Sequence, residues 1–132
     1  MILVNKQSYN TSIFTLREKS SLSFTTYPDR FYLFEFSYNN EVVKLFTADD
    51  ISDYKNKFNK FIFIEKENED LLDGKIYIQG NTKQLEYKVY ESLTEYATVE
   101  DLLVSNTTEE ILETGRVLIN GSEQSTINNV YL

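Results

Sequence analysis

From residue 30 to residue 38 the chain places an aromatic or aliphatic side chain at nearly every position with a period of two. Tyr32, Phe34, Phe36 and Tyr38 share one face, and Phe31, Leu33, Glu35 and Ser37 share the other. Alternation of this kind specifies an extended strand, because successive side chains leave a strand on opposite sides. Asn39-Asn40 then offers a turn, and residues 41–47 resume with Val43 and Leu45 set against Val42, Lys44 and Phe46. The two stretches predict an antiparallel hairpin closed by a two-residue loop. Pro28, which has no N–H to give a ladder, suits the entry into the first strand.

The same period recurs along the chain. Residues 58–65 are apolar on both faces, with Phe58, Ile62 and Ile64 on one side and Phe61 and Phe63 on the other, which predicts a central, covered strand. Asp73-Gly74 reads as a hairpin turn into a strand over 75–79. Residues 84–92 alternate cleanly, Leu85, Tyr87 and Val89 inward and Glu86, Lys88 and Tyr90 outward. Residues 93–110 hold no sustained period and predict a long loop with a helical turn around 99–104, before a further strand over 113–120. Shorter strands are expected at 2–4, 12–16 and 22–26. About eight or nine short strands without helical periodicity, repeat or linker predict one all-β domain over residues 1–132. Its expected form is an antiparallel β-sandwich, immunoglobulin-like or jelly-roll-like, with a barrel as the alternative.

Composition narrows the chemistry. There is no cysteine and no histidine among the 132 residues. Disulfides, thiolate or imidazole zinc sites, Cys–His nucleophiles and Ser–His triads are therefore excluded. A formal net charge of −8 argues against nucleic acid as the primary partner, since phosphate binding needs clustered cations. Met1-Ile2-Leu3-Val4 turns polar at Asn5-Lys6-Gln7 and lacks the basic start of a signal peptide. No apolar run approaches the ~20 residues of a membrane-spanning helix, so no membrane partner is expected.

Several constellations invite a site and fall short of one. Three acidic clusters, at 49–53, 65–70 and Glu109-Glu110, lack calcium-loop spacing and read as solvated loops; the turn holding Asp49, Asp50 and Asp53 is the first of them to consider for a cation. With 21 acidic residues, a carboxylate pair at glycosidase separation would arise by chance. No phosphate loop or serine-nucleophile motif is present, so no catalytic, cofactor or metal residue is assigned and the chain is read as non-enzymatic. Ten tyrosines and nine phenylalanines suit sheet faces and subunit contacts. Tyr9, Tyr27, Tyr38, Tyr90 and Tyr96, placed near strand ends or outward, are the candidates for stacking on a host glycan. The triplets beginning at Asn10, Asn106 and Asn120 matter only on a eukaryotic secretory route.

Five segments carry a family likeness: Arg30-Phe31-Tyr32-Leu33-Phe34-Glu35-Phe36-Ser37-Tyr38 with its hairpin partner to Phe46, Tyr54-Lys55-Asn56-Lys57-Phe58-Asn59-Lys60-Phe61, Gly74-Lys75-Ile76-Tyr77, Tyr87-Lys88-Val89-Tyr90-Glu91, and Leu112-Glu113-Thr114-Gly115-Arg116-Val117-Leu118-Ile119. Their order and spacing over residues 30–120 resembles small virion structural proteins of tailed bacteriophages, particularly crAss-like and related phages of Bacteroidota. That resemblance implies a multicopy auxiliary capsid or head protein, a fibre base, or a neck or tail connector, made in the host cytoplasm and carried in the virion. Its implied partners are the major capsid protein or other head and neck components. Both ends of the chain are apolar, so residues 1–11 and 121–132 either close the domain's own sheet or reach a neighbouring subunit.

Overall fold

In the computed structural model, residues 1–21, 30–55, 57–80 and 82–121 are described. Among these residues eight strands, one helical turn and two 3-10 turns follow in the order β1 (Ile2–Asn5), β2 (Tyr9–Phe14), α1 (Leu16–Lys19), β3 (Phe31–Tyr38), β4 (Glu41–Thr47), β5 (Asn59–Glu65), β6 (Lys75–Ile76), β7 (Gln84–Ser92), the 3-10 turns Val99–Asp101 and Val104–Asn106, and β8 (Ile111–Asn120). Five strands form one sheet in the order β1-β8-β7-β3-β4, and three form a second in the order β2-β5-β6. The all-β, sandwich-like architecture expected from the strand pattern is the one that forms.

Aromatic rings fill the space between the sheets. Tyr32, Phe34 and Phe36 of β3 and Phe46 of β4 face Phe61 and Phe63 of β5 and Phe14 of β2, all buried in one cluster. Phe34 meets Phe61 edge-on at a centroid distance of 4.9 Å and Phe63 at 5.0 Å; Phe46 meets Phe63 edge-on at 5.4 Å. Edge-to-face contacts set the positive rim of one ring on the negative face of the next, which adds direction to the burial of large apolar area. The period of two in β3 is thus the means by which one strand delivers three rings to one layer.

The hairpin forms as predicted, with Phe34 opposite Phe46 and Tyr38 opposite Glu41. Asn39 and Asn40 both take positive φ, 50° and 66°, as a two-residue reversal between twisted strands requires. The ladder shifts register between Phe36 and Ser37, and Val43 is the extra residue. β7 pairs with β3 on one side and β8 on the other, so the alternation of residues 84–92 belongs to an inner strand.

Four details depart from the sequence expectation. Two ladders are parallel, β1 with β8 and β5 with β6, so the sheets are mixed. Asp73-Gly74 reverses the chain only locally, between bridged Asp70 and Lys75, and so delivers β6 alongside β5 in the same direction. The strand expected at 12–16 begins at Tyr9 and stops at Phe14; Leu16 then opens the short α1, its N–H donating to the Asn59 side-chain oxygen at 2.9 Å. On the outward face of β7, Glu86 is exposed and Lys88 half-buried, but the Tyr90 end is covered. Tyr96 and Leu102 of the 93–110 loop pack with Leu33 and Tyr90 to make a second apolar cluster there, flanked by Phe31, Leu45 and Val104. The strand expected at 22–26 lies outside the described residues.

At the start of the chain, Ile2 and Val4 are buried in the main core while β1 pairs with β8. This apolar stretch closes the molecule's own sheet. Residues 122–132 lie outside the described set. Among the described residues no helix is long and apolar enough to cross a membrane.

Candidate functional site

The most elaborate polar arrangement caps one end of the aromatic layer. Arg30 lies two residues before Tyr32, and Glu91 sits opposite Tyr32 in the β3–β7 ladder, so both continue the core-facing row of their strands. Their side chains are 1% and 0% exposed. Arg30 donates to Glu91 Oε2 at 2.9 Å and to Ser20 Oγ at 2.9 Å, while Ser20 donates to the other Glu91 oxygen. A charge buried this deeply is tolerable only when paired and hydrogen-bonded, and here both conditions hold. The carboxylate is held as the counter-charge of a guanidinium, and Ser20 is a bridge between the two.

Outside this pair opens a cleft of about 410 Å³ lined by Arg17, Arg30, Tyr32, Asp50, Lys55 and Tyr96 among others. Burial pushes the Tyr32 phenol above its ordinary value, and the adjacent Arg17 guanidinium partly offsets that rise. Burial likewise raises Tyr96, with the nearby Ser92 hydroxyl opposing the rise. Two phenols held neutral beside three cations and the carboxylates of Asp49, Asp50 and Glu95 form a mixed polar surface.

Asp50, the centre of the acidic turn considered for a cation, is used internally. Its Oδ1 accepts from the Ser52 and Lys60 N–H groups at 3.0 Å each, and its Oδ2 accepts from Asn59 Nδ2 at 2.7 Å. The turn is stitched to the start of β5. Among the described residues no group of three or more acidic side chains is gathered to hold a metal ion.

Other buried polar groups, invisible to periodicity, are staples of the same kind. Lys6 Nζ donates to the carbonyls of Ile78 at 2.7 Å and Gly80 at 2.8 Å. Glu65 accepts from the Ile78 and Gln7 N–H groups. The Asn10 amide donates to the carbonyls of Asn5, Ser8 and Phe63 and its oxygen accepts from Asn5 N–H, so the first Asn-x-Ser/Thr triplet is sequestered. Asn106 and Asn120 are exposed and also donate internally, to the Asp101 carbonyl and to Asn5 Oδ1.

The five tyrosines considered for stacking do not form one platform. Tyr90 and Tyr96 are buried in the second cluster, and Tyr27 lies outside the described residues. Tyr9 and Tyr38 are well exposed, at 77% and 59%, and belong to different sheets. Exposed apolar residues accompany each: Ile13 on β2 with Tyr9, and Val42 and Val43 on β4 with Tyr38.

Compared with known proteins, the chain matches no protein-family model and no curated protein sequence.

Proposed function

We propose that this chain is a non-enzymatic binding component of a tailed-phage virion, an auxiliary capsid or head protein that docks in many copies on other virion proteins. The observation that carries the binding part is the division between inside and outside. Buried polar groups such as Glu91, Glu65 and Lys6 are engaged in internal bonds, whereas Tyr9, Ile13, Tyr38, Val42 and Val43 present apolar area to solvent. Exposed aromatic and aliphatic groups on rigid strands are the currency of protein contacts. The virion setting comes from the sequence resemblance over residues 30–120 alone, a stretch that runs from the β3–β4 hairpin through β8.

Mass spectrometry of purified particles from the producing host is the test. The expected result is this chain in a copy number comparable with that of the capsid proteins; a particle preparation rich in capsid and portal proteins but devoid of it overturns the reading. The alternatives keep separate readouts. A tail or neck connector would appear at the copy number of a ring, and a glycan-binding module would give a sugar-dependent array signal lost on Tyr9→Ala or Tyr38→Ala.

A further inference from the structure

We infer that β2 is a docking edge for a second copy of this chain, joined antiparallel so that two three-stranded sheets become one sheet of six strands. This rests on the geometry of β2 and is independent of the virion reading.

The other open strands carry the devices that ordinarily blunt a sheet edge. β1 is only four residues long, and the N–H and C=O of Asn5 at its end are already engaged by the Asn10 side-chain amide. β4 has Lys44 and a bulge, and Thr47 at its end is already engaged by the Leu71 carbonyl and the Gly74 N–H. β6 is two residues long and begins with Lys75. β2 has none of these. Its sequence, Tyr9-Asn10-Thr11-Ser12-Ile13-Phe14, contains no charge and no proline, and its register with β5 runs unbroken over all six residues.

The direction of its backbone groups follows from β5. Ile64 N–H donates to Gly74 at 2.9 Å, Lys60 N–H to Asp50 at 3.0 Å, and the Lys60 carbonyl accepts from Ile51 at 2.8 Å. Lys60, Ile62 and Ile64 therefore turn their N–H and C=O groups away from β2, and Phe61 and Phe63 turn theirs toward it. Alternate residues of a strand bond to opposite sides. The partners of Phe61 and Phe63, Ser12 and Asn10, use their backbone groups on β5. Tyr9, Thr11 and Ile13 are left pointing outward from the sheet.

A two-fold axis perpendicular to the sheet at Thr11 makes this edge complementary to itself. Thr11 then faces Thr11 of the second copy, and Tyr9 faces Ile13 of the second copy on both sides of the axis. All of these are residues whose backbone groups point outward, so each pair exchanges both of its backbone bonds. An aromatic residue against a β-branched one, and threonine against threonine, are favourable cross-strand pairs. Tyr9 and Ile13 are 77% and 63% exposed, so the side chains that would pair stand clear. Charge agrees with this occupant. Two molecules of net charge −8 repel at most approaches, but the outer face beside β2 carries Ile62 and Ile64, with Lys60 opposite Ile13 and Lys75 beside Ile64. The joined outer face reads Lys75, Ile64, Tyr9, then Ile13 and Lys60 of the second copy, an apolar row with the Lys75–Asp73 ion pair at one end and Lys60 at the other.

Strand edges alone bury less than the ~1,600 Å² of a standard interface, so a dissociation constant on the order of 100 µM is expected. Sedimentation equilibrium from about 10 µM to about 1 mM tests this, with a reversible monomer–dimer equilibrium as the expected result. Thr11→Lys and Thr11→Asp each set like charges face to face on the axis and should weaken the dimer at least tenfold. An equimolar mixture of the two variants should restore association, because lysine then faces aspartate. Thr11 is exposed, so both variants should keep the parent's circular dichroism. Concentration-dependent protection of the Thr11 amide from hydrogen exchange is a second readout on the unaltered chain. A monomer throughout that range, a dimer indifferent to both substitutions, or an amide whose exchange does not slow with concentration overturns the proposal.

Discussion

Gly115 lies directly opposite Tyr87 in the β7–β8 ladder, and a Cβ built there would stand 2.8 Å from the Tyr87 ring and 3.0 Å from its hydroxyl. The glycine is a gap through which the ring lies flat across the neighbouring strand, and the phenol at the ring's end donates to Glu113 at 2.8 Å. Tyr87 is fully buried in the main cluster and cannot yield without disturbing Phe14, 6.1 Å away between centroids. Gly115→Ala is therefore expected to destabilise the fold by about 1–3 kcal/mol in chemical denaturation, the usual cost of overpacking. Adding Tyr87→Leu, which withdraws the ring, should make the second loss smaller than it is in the parent chain, since the two residues share one space. Additive losses would show that the ring and the missing Cβ do not compete. The same scale holds what sequence pattern conceals. Arg30 and Glu91 are 61 residues apart, and nothing in the spacing of a strand announces that its flanking arginine will cap the core of a sheet.

At the scale of elements, the β3–β4 hairpin was legible because two independent signals agree: a period of two on both sides and asparagines at the reversal. Asn40, at φ 66°, occupies a position where glycine pays no steric cost. Asn40→Gly relieves the left-handed strain but gives the unfolded chain more freedom, and is expected to raise the unfolding free energy by no more than ~0.5 kcal/mol, read from the denaturant midpoint at unchanged slope. A lower midpoint would mean that the asparagine side chain contributes more than its backbone strain costs. β7 was equally legible over residues 84–92, for its inward row of Leu85, Tyr87 and Val89. What escaped were relations rather than strands. The parallel pairing of β1 with β8 joins Ile2 to Val117, and no local pattern encodes a partner so distant. Tyr90 reads as outward and does occupy the outward face; it is buried because Tyr96 and Leu102 cross that face from a loop without periodicity. α1 is a single turn, too short for a helical period to show. The polar cleft was illegible for the same reason, since α1, the start of β3, the 48–51 segment and the loop after β7 each supply one part of it.

The molecule as a whole carries a store of neutral phenols that should govern its behaviour at high pH. Tyr32, Tyr87, Tyr90 and Tyr96 all have phenols raised above the ordinary value of 10.0, and burial is the largest cause in each. The Glu113 hydrogen bond adds to the rise at Tyr87, and the Glu35 carboxylate adds to it at Tyr90. Raised folded-state values mean that above pH 10 the unfolded chain has lost phenol protons which the folded chain still holds. This contribution to stability is fully present below the unfolded value and is lost as pH rises through the folded ones. Denaturant midpoints should fall progressively above pH 10, and the phenolate absorbance of the four buried rings should appear together with the loss of circular dichroism. Growing negative charge also strains an acidic protein at high pH, a repulsion that salt screens. Two controls separate the effects: measurement at high salt, and Tyr87→Phe. With one phenol removed, stability should fall less steeply with pH, by the release of one proton, at either salt concentration. A slope unchanged by Tyr87→Phe, or phenolate absorbance from all the tyrosines while the fold is still intact, would show that the buried rings reach solvent without unfolding.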